Sequence, residues 1–309
     1  MKLYDELRSA CLEHLSGKQV SSVASQLRSL FLSDAVFRML NEARRIEEGR
    51  AVSGVAWRLT AAGHASLLAT GIRRLVDKDK RAGSLAGIIA RLRGGHELLT
   101  RRHYVEAGGD PYDWEADKEK YLREVVEAGV DNTGAVHRGH IDWVHSQFKH
   151  QRFDQLCDGE GRDPSQLISL LVLDKLSAAL KSDAIRRVTT YTDKVIAHAE
   201  HLTDGIELPT YNDIDESLRI LCQVCNFIST AIFYDSDRSQ VVATPQYNVT
   251  QHLDAPLALS TTLPDLQQFW ADYSRERDGW SSAKSGYDQQ FLVSQPVADD
   301  EPEAQAGSS

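Results

Sequence analysis

The chain has 309 residues, 41% of them apolar, and sets 35 Lys and Arg against 45 Asp and Glu for a formal net charge of −10. That length holds one large or two small domains, and the apolar share is ample for a packed core. The acidic balance argues against a general nucleic-acid coat, which is usually strongly basic, but leaves room for a local basic groove. Eight prolines and few alternating β-branched runs favour helices.

The opening MKLYDELRSACLEHL is amphipathic and acidic, without the apolar stretch of a secretory leader. No apolar run approaches the roughly 18 residues of a membrane span, so a cytoplasmic protein is expected. Residues 3–15 and 18–48 read as helices separated by Ser16-Gly17, the second with Val23, Leu27, Leu30, Val36 and Leu40 on its apolar side. Ser53-Gly54 opens a helix from Val55 to Val76, with Leu59, Ala62, Leu67, Leu68, Ile72 and Leu75 inward. Its end carries a basic cluster, Arg73, Arg74, Lys78, Lys80 and Arg81, a pattern that is commonly a solvated face. Ser84 reads as the N-cap of Leu85–Arg93, which Gly94-Gly95 ends. Asp113 caps a helix from Trp114 to Ala128, and Asn132-Thr133-Gly134 breaks the chain.

The next predicted helix, Ala135–Leu156, holds His137, His140, His145 and His150. Only the first two have the spacing of a helical metal pair, so a polar face is the preferred reading and no metal is expected. Asp163, with Pro164 at the first helical position, predicts a strongly buried helix over 165–181 with Leu167, Leu170, Leu171, Leu173, Leu176 and Leu180 inward. Leu208-Pro209 is a turn, and Thr210 with Asp213 forms a capping box for a helix running to Tyr234. Its inner residues are Ile214, Leu218, Leu221, Cys225, Ile228 and Ile232. Cys222 and Cys225 form a C-x-x-C inside this stripe, with no second pair to complete a zinc site, and read as core. Val241–His252 suits an extended arm, Leu263–Arg275 an amphipathic helix with Phe269 and Trp270, and the acidic ADDEPEAQAGSS end a disordered tail. There is no Walker-type glycine loop and no G-x-S-x-G elbow, which removes P-loop and esterase chemistry. No cofactor is expected.

The most informative segment is Ala184–Leu202, AIRRVTTYTDKVIAHAEHL. Ile185, Val188, Thr192, Val195, Ala199 and Leu202 alternate three and four apart, a core-facing stripe of one helix. Beside it run Arg187, Tyr191, Lys194, His198 and His201. A strip of cations, a phenol and imidazoles suits phosphate or RNA, and His198 has the side chain to move protons near neutral pH.

The words DKVIAH resemble the end of the R-N/D-K-x-x-A-H motif of HEPN domains, an all-helical superfamily that handles nucleotides and RNA. WRLTAAGHASLLATGIRRLVDKDKRAGSLAGIIARLR (57–93) resembles the opening helices of its AbiU-like branch, known from phage abortive infection. PTYNDIDESLRILCQVCNFIST (209–230) resembles the helix that follows the motif there. Bare Arg-to-His spacings of similar length also occur at Arg91 to His96 and Arg138 to His145. The helical context, the polar residue and the Ala-His ending set 193–198 apart.

The resemblance implies an all-α antiparallel helical bundle of HEPN type over residues 51–235. N-terminal helices (1–50), a C-terminal extension with one short helix (236–295) and a disordered acidic tail (296–309) flank it. It also implies a homodimer, with antiviral defence as the setting and RNA or a nucleotide as the ligand. In an active member, metal-independent ribonuclease chemistry falls to His198 as acid/base, Lys194 as the cation near the phosphate and Asp193 as the residue fixing the motif. RNA contacts then fall to Arg187, Tyr191 and His201. One departure matters: Thr192 stands where the family's ribonucleases carry the phosphate-binding Arg, and Thr offers neither charge nor a bidentate fork. Arg187 lies about 16 Å from His198 by helical rise and reaches the same phosphate only from a second subunit. The alternative is a catalytically inactive HEPN scaffold that binds a protein partner from the same locus or a nucleotide. A helical protein unrelated to HEPN is a third reading.

Overall fold

The computed structural model describes residues 1–46, 54–79, 82–128, 142–159, 161–197, 207–235, 260–282 and 286–293. Among them run eleven α-helices and no strand. The chain is an all-α bundle. The expected break at 132–134, the arm at 241–252 and the acidic tail lie outside the described residues.

α1 (Lys2–Ser16) turns Tyr4, Cys11 and Leu15 inward. α2 (Val23–Ile46) starts later than residue 18 because Ser22 caps it, its hydroxyl accepting the Ser25 N–H at 3.3 Å. Its first half buries Val23, Leu27, Leu30 and Phe31 as the spacing predicts, but its second half buries Asp34, Ala35 and Met39. α3 (Gly54–Leu75) also departs from the expected stripe: Leu59 and Leu67 are exposed, and His64, Leu68, Ile72 and Leu75 are buried. A histidine thus takes an inward position that an apolar count assigns to its neighbours. α4 (Leu85–Gly94) is capped at Ser84, whose hydroxyl accepts the Gly87 N–H at 3.0 Å.

α5 (Arg101–Glu106) follows a single 3-10 turn over His96–Leu98; neither is evident in the sequence. α6 (Trp114–Ala128) is capped by Asp113, which accepts the Ala116 N–H at 3.0 Å. α7 (Asp142–Asp154) precedes a segment that breaks the expected pattern. Asp163 caps only a turn, through the Ser165 N–H at 2.8 Å. Pro164 and Ser165 form that turn, and no helix follows it, because Leu167 bridges to Thr100 and Ile168 to Cys157. α8 (Leu170–Ala179) therefore begins at the Ser169 cap, which leaves Leu170 and Leu171 exposed and Val172, Leu173 and Leu176 in the core. Fully buried Arg101 fastens this corner, donating to Gln166 Oε1 at 3.0 and 2.8 Å, pairing with Asp154 at 2.6 Å and lying over the Phe153 ring.

α9 (Asp183–Tyr191), α10 (Tyr211–Phe227) and α11 (Leu263–Trp280) complete the set. Ile214, Leu218, Leu221, Cys225, Ile228 and Ile232 are all buried, as the sequence predicts. One continuous core runs from Tyr4 and Cys11 of α1 to Phe227 of α10 and on to Phe291 and Leu292, so the N-terminal helices share the bundle's core. Burial of each such side chain contributes about 1.5–3 kcal/mol. A smaller cluster joins Ala35, Met39 and Ala43 of α2 to Leu266, Trp270 and Tyr273 of α11.

A buried charge cage stitches α2, α3, α10 and α11 together. Asp34, fully buried, accepts both Arg38 Nε contacts, at 3.1 and 2.9 Å, and the Tyr273 hydroxyl. His64 Nε2 lies 3.4 Å from Asp34 Oδ1, off-line for a strong hydrogen bond, and neither ring nitrogen has a well-formed partner. Arg38 continues to Asp215 of α10 at 2.6 Å, and Arg277 of α11 approaches the same carboxylate at 3.5 Å. Arg277 lies over the Tyr273 and Trp280 rings. The Phe37 ring stacks on His64 at 3.9 Å and on Trp57 at 5.2 Å, shielding the cage. Burial pushes the Asp34 carboxyl up. The His64 ring, the Arg38 guanidinium and the Tyr273 hydroxyl outweigh that push and bring it below the usual carboxylate range.

At the start of α10 the predicted capping box is present. Asp213 N–H donates to Thr210 Oγ1 at 3.2 Å, and the Thr210 N–H returns a bond to Asp213 Oδ2 at 2.8 Å. Arg187 of α9 grips the same carboxylate, its Nε at 3.0 Å. The Arg187 guanidinium is the main cause that holds the Asp213 carboxyl down to about 2, against the weaker upward push of burial.

Asp34→Ala removes the acceptor of the buried Tyr273 hydroxyl and leaves Arg38 with Asp215 alone, and it is expected to cost about 1–3 kcal/mol in urea unfolding; a loss under about 0.5 kcal/mol would show that the cage does not hold the bundle. Thr210→Ala is expected to cost about 1 kcal/mol in the same measurement. Asp213 has its pKa depressed on folding, so its contribution is complete above the unfolded value near 4 and is lost as pH falls towards about 2. The stability gap between wild type and Asp213→Asn should therefore be constant near neutrality and shrink below about pH 4. A gap independent of pH across that window contradicts the assignment.

Candidate functional site

α9 buries Ala184, Ile185 and Val188, the last two of which open the stripe expected for one long helix. At Thr192 the winding changes, and Thr192–Ala197 is a π-helical segment. Segments of this kind concentrate at functional sites and shift the register of the side chains along them. Here Ile196 packs on the core where Val195 was expected. Thr192, 4% exposed, donates its hydroxyl to the Val188 carbonyl at 2.8 Å. The position at which a HEPN ribonuclease carries its arginine therefore faces the core, with its only polar group satisfied.

Asp193 and Lys194 stand on the outer side of the segment. Lys194 is exposed and makes no ion pair among the described residues. Asp193, half exposed, accepts a hydrogen bond from Arg73 Nε of α3 at 2.8 Å, and Arg73 Nη1 lies 3.4 Å from Asp77. Tyr191 is half-buried against the core rather than free on the strip. Arg187, roughly 9 Å earlier along the helix, turns to Asp213 and the start of α10. The structure thus joins Asp193 to Arg73, leaves Lys194 exposed next to Asp193 in the chain, and turns Arg187 and Tyr191 to other partners. His198 and His201 lie outside the described residues.

Between α2 and α3 opens a groove of about 470 Å³ that includes Ser25, Ser29, Ser66, Thr70 and the exposed Arg74 in its lining. The helices cross closely there: a Cβ at Gly71 would run into the Leu30 side chain. Elsewhere the polar candidates are structural. His150 is buried, its Nε2 2.8 Å from the Tyr112 carbonyl oxygen, and burial pushes its pKa down. Cys222 and Cys225 are buried free thiols, and burial pushes the Cys222 thiol up. Among the described residues no group of His, Cys, Asp and Glu is placed to hold a metal ion, and no helix is long and apolar enough to cross a membrane.

Two features escape sequence reasoning. Arg73 reads only as one cation of a cluster; nothing local signals its pairing with Asp193, 120 residues away. The charge cage has one signal, the carboxylate of Asp34 in register with Leu27, Leu30 and Phe31.

No curated protein and no solved structure matches the chain. The family model for AbiU2, HEPN_AbiU2, matches residues 17–253. That span takes in every helix from α2 to α10 together with the motif segment between α9 and α10. The chain therefore belongs to the AbiU2 family of HEPN domains, related to abortive infection.

Proposed function

We propose that this protein acts on RNA in an abortive-infection type of defence, as a homodimeric, metal-independent ribonuclease. Family membership supports the setting. The observation that carries the chemistry is the π-helical segment, which pairs Asp193 with the Arg73 guanidinium, leaves Lys194 exposed and runs into the Ala-His ending of the motif.

In this reading the RNA 2′-hydroxyl attacks its own 3′-phosphate. The 2′-oxygen loses its proton and forms the new O–P bond, the bond from phosphorus to the 5′-oxygen breaks, and that oxygen takes up a proton. His198 exchanges one of these protons. Lys194 steadies the charge that grows on the phosphate oxygens. Asp193 fixes the motif's geometry. Arg187 and Tyr191 contact RNA from the flank, with His201. Arg187 makes such a contact only by sharing its guanidinium with Asp213.

One observation favours a second reading. Thr192 is buried with its hydroxyl spent on Val188, so the motif arginine has no counterpart at its own position. A scaffold that binds a protein partner or a nucleotide without cleaving needs none.

RNA cleavage by the purified protein in EDTA, beside His198→Ala, separates the two. Cleavage that persists in EDTA and falls about 10²- to 10⁴-fold in the variant is expected. Absence of cleavage by either protein, each folded by circular dichroism, would leave the scaffold reading in its place.

A further inference from the structure

We infer that Arg73, from α3, supplies the phosphate-binding guanidinium that position 192 lacks; this rests on the RNA reading above. A phosphate is best held by a planar fork with several donors, which Lys194 does not offer and Thr192 cannot. Arg73 is placed to offer it. Its Nε is fixed by Asp193 at 2.8 Å, its Nη1 is only loosely held by Asp77 at 3.4 Å, and Nη2 has no hydrogen-bond partner among the described residues. The side chain keeps a third of its surface exposed. A guanidinium carries five donors, so the bond to Asp193 orients the group without exhausting it.

The same geometry gives Asp193 a definite task. It is the motif's polar residue, and it holds the arginine of another helix beside the site. The guanidinium reaches the motif from the neighbouring helix α3, not from position 192 of the motif's own segment. The occupant of its open edge is an RNA phosphate, with Lys194 as the second cation on the segment.

An ion pair of purely structural purpose makes a different forecast, so the two are separable. The probe is a 2′-O-methyl oligoribonucleotide, which 2′-hydroxyl attack cannot cleave. Its affinity is measured across a salt series for wild type, Arg73→Gln, Arg73→Lys and Asp193→Asn. Arg73→Gln is expected to weaken binding about 10- to 100-fold and to reduce the slope of log affinity against log salt by about 1. Arg73→Lys should keep the slope with lower affinity, and Asp193→Asn, which loosens the orienting pair but leaves the guanidinium's charge in place, should keep the slope and lose less affinity than Arg73→Gln. Thermal melting confirms that each variant is folded. If Arg73→Gln and Asp193→Asn lose affinity alike with unchanged slopes, the pair is structural and the inference fails while the RNA reading stands. If wild type does not bind the oligonucleotide, both fail.

Discussion

A single buried carboxylate, Asp34, decides how four helices meet. An ionised group with no exposed surface is stable only where its charge and lone pairs are answered. Here the answers come from Arg38 on its own helix, from Tyr273 on α11 and from the neighbourhood of His64 on α3, with Arg38 passing the linkage on to Asp215 of α10. Apolar packing alone tolerates sliding and rotation of helices. A carboxylate that must meet named partners from different helices tolerates neither. It therefore selects one arrangement of α2, α3, α10 and α11 from the several that similar apolar faces permit.

That constraint reaches the motif through α3. His64 and Arg73 stand on the same helix, roughly 14 Å apart by helical rise. The cage meets the middle of α3, at His64, and the burial of Leu68, Ile72 and Leu75 seats the half that follows. Arg73 is then delivered to Asp193 by a rigid rod instead of a loop, which is how a side chain is held to within the fraction of an ångström that phosphate recognition requires. The Arg187–Asp213 pair does the equivalent for α9, tying it to the first turn of α10.

The parts of the fold legible in the sequence are those decided locally. The caps at Ser84 and Asp113 and the Thr210–Asp213 box involve partners within three residues, and the inward row from Ile214 to Ile232 follows helical period alone. What was not legible depends on distant partners. Leu59 and Leu67 face out and His64 faces in because Asp34 and Phe37 of another helix set the orientation of α3. Asp163-Pro164 carries a proper helix-start signal, yet only a turn forms there, and the bridges of Leu167 to Thr100 and Ile168 to Cys157 delay the helix to the Ser169 cap. The motif's words were readable in the sequence; its winding was not, because an α period counted past Tyr191 places Val195 inward where the structure places Ile196. The partner of Asp193 was equally invisible, lying on a helix far away in the chain.

The burial of Thr192 bears on how such a protein can change over evolutionary time. Its hydroxyl is satisfied by the Val188 carbonyl one turn earlier, and the residue is almost wholly buried. An arginine arriving there by mutation has to bury a guanidinium without a counter-charge or adopt a different helix winding, and either is costly. Position 192 thus resists a single Thr192→Arg change. Selection for phosphate chemistry then falls on whatever other helices can reach the site.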